Sequence, residues 1–142
     1  MYLCVFKTIV MNCHDFNADI IPLNEAVNSD ILLQINEMEK CGKCLPCLYC
    51  YIMLAPSMSD EELTALFGAD LLDMPELIPE LNELAGLVSN PYPNRLRITR
   101  VNKALQNITP KRSDKALIKH YINECIRQYE GDMIEEYFNM SP

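Results

Sequence analysis

Ser113-Asp114-Lys115-Ala116-Leu117-Ile118-Lys119-His120-Tyr121-Ile122-Asn123-Glu124-Cys125-Ile126-Arg127-Gln128-Tyr129 carries the clearest structural signal in the chain. Leu117, Ile118, Tyr121, Ile122, Cys125, Ile126 and Tyr129 return at helical spacing and form one apolar stripe. Ser113 is a good N-cap and Asp114 suits the positive end of the helix dipole. Gly131 lies just past the end, where a left-handed residue closes a helix. Asp132 then caps a short final helix with Met133, Ile134, Tyr137 and Phe138 inward.

Moving toward the N-terminus, residues 95 to 106 read as a helix through Ile98, Val101 and Leu105. Asn90-Pro91-Tyr92-Pro93-Asn94 is the sharpest break, because two nearby prolines withhold backbone donors and push the preceding residues toward extended geometry. Before it, Met74 to Val88 has Pro75 and Pro79 near its start and Leu77, Leu81, Leu84, Leu87 and Val88 at helical spacing. Ser59 to Phe67 opens with the capping box Ser59/Glu62 and closes on Gly68. Cys47 to Leu54 reads as a short buried helix stopped by Pro56, and Asn28, Ser29 and Asp30 are alternative N-caps of a helix running to about Lys40. Tyr2 to Val10, rich in β-branched and aromatic residues, reads as a short strand or buried extended segment.

The expected fold is therefore mostly α: a small helical domain of five to seven helices with a short N-terminal extended segment and a cysteine-rich metal knuckle. With 142 residues, 49% of them apolar, a single domain over 1–142 is expected. Any subdivision falls at 90–94, and residues 1–56 form a cysteine-rich part ahead of a helical part at 57–142.

The knuckle is Cys41-Gly42-Lys43-Cys44-Leu45-Pro46-Cys47-Leu48-Tyr49-Cys50, four thiols at intervals of three. A C-x-x-C turn aims two sulfurs at one ion, and the glycine permits the tight backbone. Thiolates are soft donors suited to zinc. Cys41, Cys44, Cys47 and Cys50 are thus the expected ligands of a structural Zn²⁺. Because one tetrahedral ion is more often held by two pairs separated by a longer loop, Cys13 and His14 are alternative ligands. Cys47 and Cys50 also suit a core, since free cysteine is commonly buried. His120 and Cys125 are the next choice of remote ligands but read as core or surface residues, and Cys4 reads as core.

Cys41 to Cys47, CGKCLPC, resembles the cluster-binding loop of the flavoprotein subunit of NADH:quinone oxidoreductases, whose C-G-x-C-x-P-C carries three ligands of a four-iron cluster. The resemblance covers these seven residues. It implies an alternative cofactor, an iron–sulfur cluster on Cys41, Cys44 and Cys47 with Cys50 or Cys125. That family's glycine-rich flavin and nucleotide loops have no counterpart among the four glycines of this chain.

Charge is segregated. Residues 57 to 90 contain eight acidic groups and no Lys or Arg, whereas 91 to 127 carry nine basic groups against Asp114 and Glu124. The two blocks either neutralise each other, or polarise a surface for a protein partner or self-assembly. A third reading is a phosphate-binding patch of Arg95, Arg97, Arg100, Lys103, Lys111 and Arg112, with nucleic acid as its ligand. The net charge of −8 excludes a surface built throughout for polyanions.

No phosphate-cradling glycine loop, nucleophile elbow or H-E-x-x-H helix is present, so an enzyme is not expected. No stretch has the length and apolarity of a membrane span. Tyr2 to Met11 lacks the small-residue cleavage site of a signal peptide. Seven cysteines then suggest a reducing intracellular compartment, cytoplasm or nucleus. The function expected from the residues is a zinc-stabilised protein-interaction or structural assembly protein, such as a viral accessory or capsid-associated subunit. A nucleic-acid-binding regulator and a small iron–sulfur redox protein are the alternatives.

Overall fold

A computed structural model of the chain describes residues 12–17, 21, 29–86, 94–124 and 126–127. The expected strand at Tyr2 to Val10, the break at 90–93, the final helix after Asp132, and Cys4 and Cys125 lie outside the described residues.

The described chain is helical, as expected. Its helices are α1 (Ser29–Glu37), α2 (Leu45–Leu54), α3 (Asp60–Phe67), α4 (Ile78–Gly86), α5 (Asn94–Arg112) and α6 (116–124), with 3₁₀ turns at Leu71–Asp73 and Pro75–Leu77. No strand occurs among the described residues, and the sole β-type pairing there is a parallel bridge between Asn12 and Glu39. None of the described helices is long and apolar enough to cross a membrane.

Helix α2 is the axis of the molecule. Every residue from Cys47 to Leu54 is buried, so the helix has no polar face and must be covered on all sides. Helices α3, α4 and α5 and the first 3₁₀ turn supply that cover. They do so through Leu63 and Phe67, Leu81 and Leu84, Ile98, Val101, Leu105 and Ile108, and Leu71 and Leu72. Pro46 falls in the first turn, where its missing N–H is no loss, and this lets α2 begin two residues before the expected Cys47.

Local chemistry explains the flanking elements. The Ser59/Glu62 capping box forms with both hydrogen bonds at 3.2 Å, and Gly68 closes α3 at φ +80°. Pro75 starts a 3₁₀ turn instead of the continuous helix expected from Met74, and α4 proper begins at Ile78.

Helix α5 runs six residues beyond the expected Leu105–Gln106 end and passes through Pro110. Proline there removes the donor to the carbonyl of Gln106, an exposed residue that water can serve. As a result Ser113 and Asp114 are spent in the turn between helices, and α6 begins at 116 rather than at the expected Ser113 cap. Leu117 and Ile118 are buried, and Tyr121 and Ile122 pack at the margin of the core. The expected stripe fades at Ile126, which is 52% exposed. Two polar contacts fasten α6: Tyr121 Oη donates to Asn102 Oδ1 at 2.6 Å, and His120 Nε2 lies 2.7 Å from Asn82 Oδ1.

Candidate metal centre

Four thiols converge at the N-terminal end of α2. Cys13 Sγ lies 3.8 Å from Cys41 Sγ and 3.3 Å from Cys44 Sγ, and Cys41 Sγ lies 3.9 Å from Cys47 Sγ. All four ligand atoms are within 4.8 Å of one another. One tetrahedral ion with metal–sulfur bonds of about 2.3 Å sets its sulfurs about 3.8 Å apart, so the quartet has the dimensions of a single-ion site. No other such convergence occurs among the described residues.

Each thiol is placed by a local device. Gly42 adopts φ +71°, which turns the chain between Cys41 and Cys44 in a conformation that disfavours a side chain. The Lys43 N–H then points at Cys41 Sγ, 3.5 Å away. Cys44 is the N-cap of α2, its sulfur accepting the Cys47 N–H at 3.4 Å, so the helix begins with donors aimed at the cluster. Cys13 arrives on a separate segment. Asn12 Oδ1 accepts the N–H groups of His14 and Asp15 at 2.9 and 3.2 Å, an Asx turn, while the Cys13 N–H donates to Glu39 O at 2.9 Å.

The structure thus brings together Cys41, Cys44 and Cys47 with the alternative Cys13, and leaves out Cys50 and His14. Cys50 sits one turn deeper in α2, fully buried in the apolar core. Burial first, and then the charges of Cys47 and Cys13, push its thiol up to about 12, and a cysteine so enclosed packs as a small hydrophobe. His14 is exposed on the Asx turn, outside the quartet.

The quartet is electrostatically uneven. Burial works against ionisation of Cys41, but the Lys43 amide and the thiols of Cys44 and Cys13 outweigh it and hold Cys41 at about 6. Burial raises Cys44, with the adjoining thiols adding to it, and takes Cys47 to about 11. A bound cation reverses this by favouring every thiolate. Lys40 adds positive charge nearby. Its Nζ is held by the carbonyls of Ile35 and Met38 at 2.6 and 3.2 Å, within electrostatic reach of Cys47, Cys50 and Cys13. Sequence reasoning did not single out Lys40, although its place beside Cys41 was the available cue.

The basic residues are largely turned to partners within the fold. Arg97 stacks over the Tyr49 ring at 5.3 Å, and Arg100 donates to the carbonyl of Ile21. Arg112 Nε is 2.7 Å from Asp60 Oδ1, and its Nη2 donates to Met58 O at 2.7 Å. Lys115 reaches Asp70. These last contacts join the acidic and basic blocks, which is the neutralising arrangement. Lys103 and Lys111 are exposed, and the Arg95 side chain lies outside the description.

A family model for the C-terminal domain of MurL, of the MurL epimerase C-terminal type, matches residues 25–135, most of the chain. The chain belongs to this family. Cys41, Cys44 and Cys47 fall inside the matched MurL C-terminal domain, and Cys13 lies upstream of it. No curated protein and no solved structure matches the chain.

Proposed function

We propose that this chain is a zinc-organised helical domain that acts through protein contacts, as a structural or assembly unit rather than a catalyst. The observation that carries the reading is the closed set of four thiols at single-ion spacing. Structural zinc sites use four protein ligands, whereas catalytic ones keep a position open for water or substrate. Four sulfurs all within 4.8 Å of one another also favour one ion over a multi-iron cluster, which places a separate iron at each thiolate and spreads the sulfurs apart.

The family's epimerase name raises a catalytic alternative. Inverting a carbon centre by proton transfer needs groups that reach opposite faces of that carbon. Thiols already in contact with one another leave no room for a substrate between them, so we assign the quartet to metal binding and not to acid–base work. Exposed Leu33 on α1, beside Leu32 and Leu66, supports action through protein contacts. The nucleic-acid reading draws less support, because Arg97, Arg100 and Arg112 already serve the fold.

Elemental analysis of the purified chain tests the proposal. One zinc per chain, a colourless solution, and a melting temperature lowered by about 10 °C or more in chelator are expected. Metal-free protein whose melting ignores chelator would overturn it. A coloured preparation containing iron would overturn the choice of zinc.

A further inference from the structure

We propose that the metal at the thiol quartet works as a latch: the family-matched stretch supplies three of its ligands, and loading the ion docks the upstream segment 12–17 onto the helical core through Cys13. The inference rests on the metal reading of the quartet and deepens it, because it says what the ion controls.

Two partitions point this way. Cys41, Cys44 and Cys47 are pre-positioned by the Gly42 turn and the α2 N-terminus, within one short run of chain inside residues 25–135. Cys13 is 28 positions from Cys41, before the matched stretch, yet its sulfur completes the tetrahedron at 3.3 Å from Cys44 and 3.8 Å from Cys41. A ligand this distant in sequence closes a long loop when the ion binds, and closure removes freedom from the segment that carries it.

The segment has other ties to the fold, among them the Cys13 N–H to Glu39 O bond, the Asn12–Glu39 bridge, the burial of Phe16 and an interaction of Asn17. A single backbone bond is offset by the water it displaces, so it is weak compared with a metal–thiolate bond.

Hydrogen exchange on the full-length chain, read by mass spectrometry with and without added zinc at room temperature, tests the latch. Bound zinc is counted in the same samples. In the wild type, zinc is expected to slow exchange across 12–17 by roughly tenfold or more, while α2 amides stay protected in both states. Cys41→Ser and Cys13→Ser each leave three thiols, and at saturating zinc both should hold the ion more weakly. Only Cys41→Ser should retain the zinc-dependent protection of 12–17. One bound zinc with unchanged exchange at 12–17 would overturn the latch and leave the metal reading standing, as would equal protection in Cys13→Ser. A simultaneous loss of protection in α2 on zinc removal would also overturn the latch, in favour of a fold-wide effect. No bound zinc in the wild type would overturn both.

Discussion

The Tyr51 hydroxyl, in the middle of the fully apolar α2, donates to Asp70 Oδ1 at 3.0 Å, and Asp70 Oδ2 in turn receives Lys115 from the turn before α6. Asp70 Oδ1 also accepts the Leu72 N–H at 3.2 Å, so one carboxylate caps a 3₁₀ turn, satisfies a core phenol and anchors a lysine. A helix with no polar face thus acquires a polar fastening that joins three parts of the chain.

That fastening predicts an alkaline signature. Burial first, and then the Asp70 charge, raise Tyr51 well above the ordinary tyrosine value of about 10. The folded state holds the phenolic proton more tightly, so this contribution is complete below about pH 10 and is lost as pH rises beyond it. Tyr51→Phe should lose about 1 kcal/mol at neutral pH and show a shallower fall in stability above pH ~10. Urea melts of both proteins across that range check the prediction. Parallel curves would refute it.

Cys47 and Cys50 lie three residues apart in α2, and they should answer alanine substitution differently. Cys50→Ala is expected to keep one metal ion per chain and lose about 1 kcal/mol for the small void it leaves. Cys47→Ala should lose most of its metal at chelator concentrations that leave the wild type loaded. A metal-free Cys50→Ala would restore Cys50 to the ligand set.

Arg112 and Asp60 join the basic and acidic halves, but unequally. The Arg112 side chain is only 10% exposed and also serves the Met58 carbonyl, whereas Asp60 is 45% exposed. Arg112→Met should therefore cost about 2 kcal/mol. Asp60→Asn should cost less than about 1 kcal/mol, and less still in high salt. The double variant should cost less than the sum of the two, as a thermodynamic cycle would reveal. Additive losses would mean that the pair does not interact.

Much of the helical framework was legible because its determinants are local. The Ser59/Glu62 box with Gly68, and the apolar spacing of Ile98, Val101 and Leu105, specify helices from neighbouring residues alone. Boundaries were less legible. Pro110 sits inside α5, with the exposed Gln106 one turn before it able to find water in place of the lost donor, and α6 starts past Ser113.

The candidate site divides along the same line. Spacing put Cys41, Cys44, Cys47 and Cys50 forward and left Cys47 and Cys50 open to the core; the convergence of Cys41, Cys44 and Cys47 rests on a C-x-x-C turn with Gly42 and a proline-started helix, a matter of a few adjacent dihedral angles. Which thiol joins them was decided only by the tertiary structure. Cys50 continues the spacing, but α2 carries it into a core that disfavours charge, while pairing Asn12 with Glu39 brings Cys13 across 28 positions to the open corner. The destination of the basic residues was decided in the same way, because ion pairs such as Arg112–Asp60 depend on how helices pack around α2. Local sequence sets dihedral angles, but the meeting of distant side chains depends on the packing that buries the apolar helix between them.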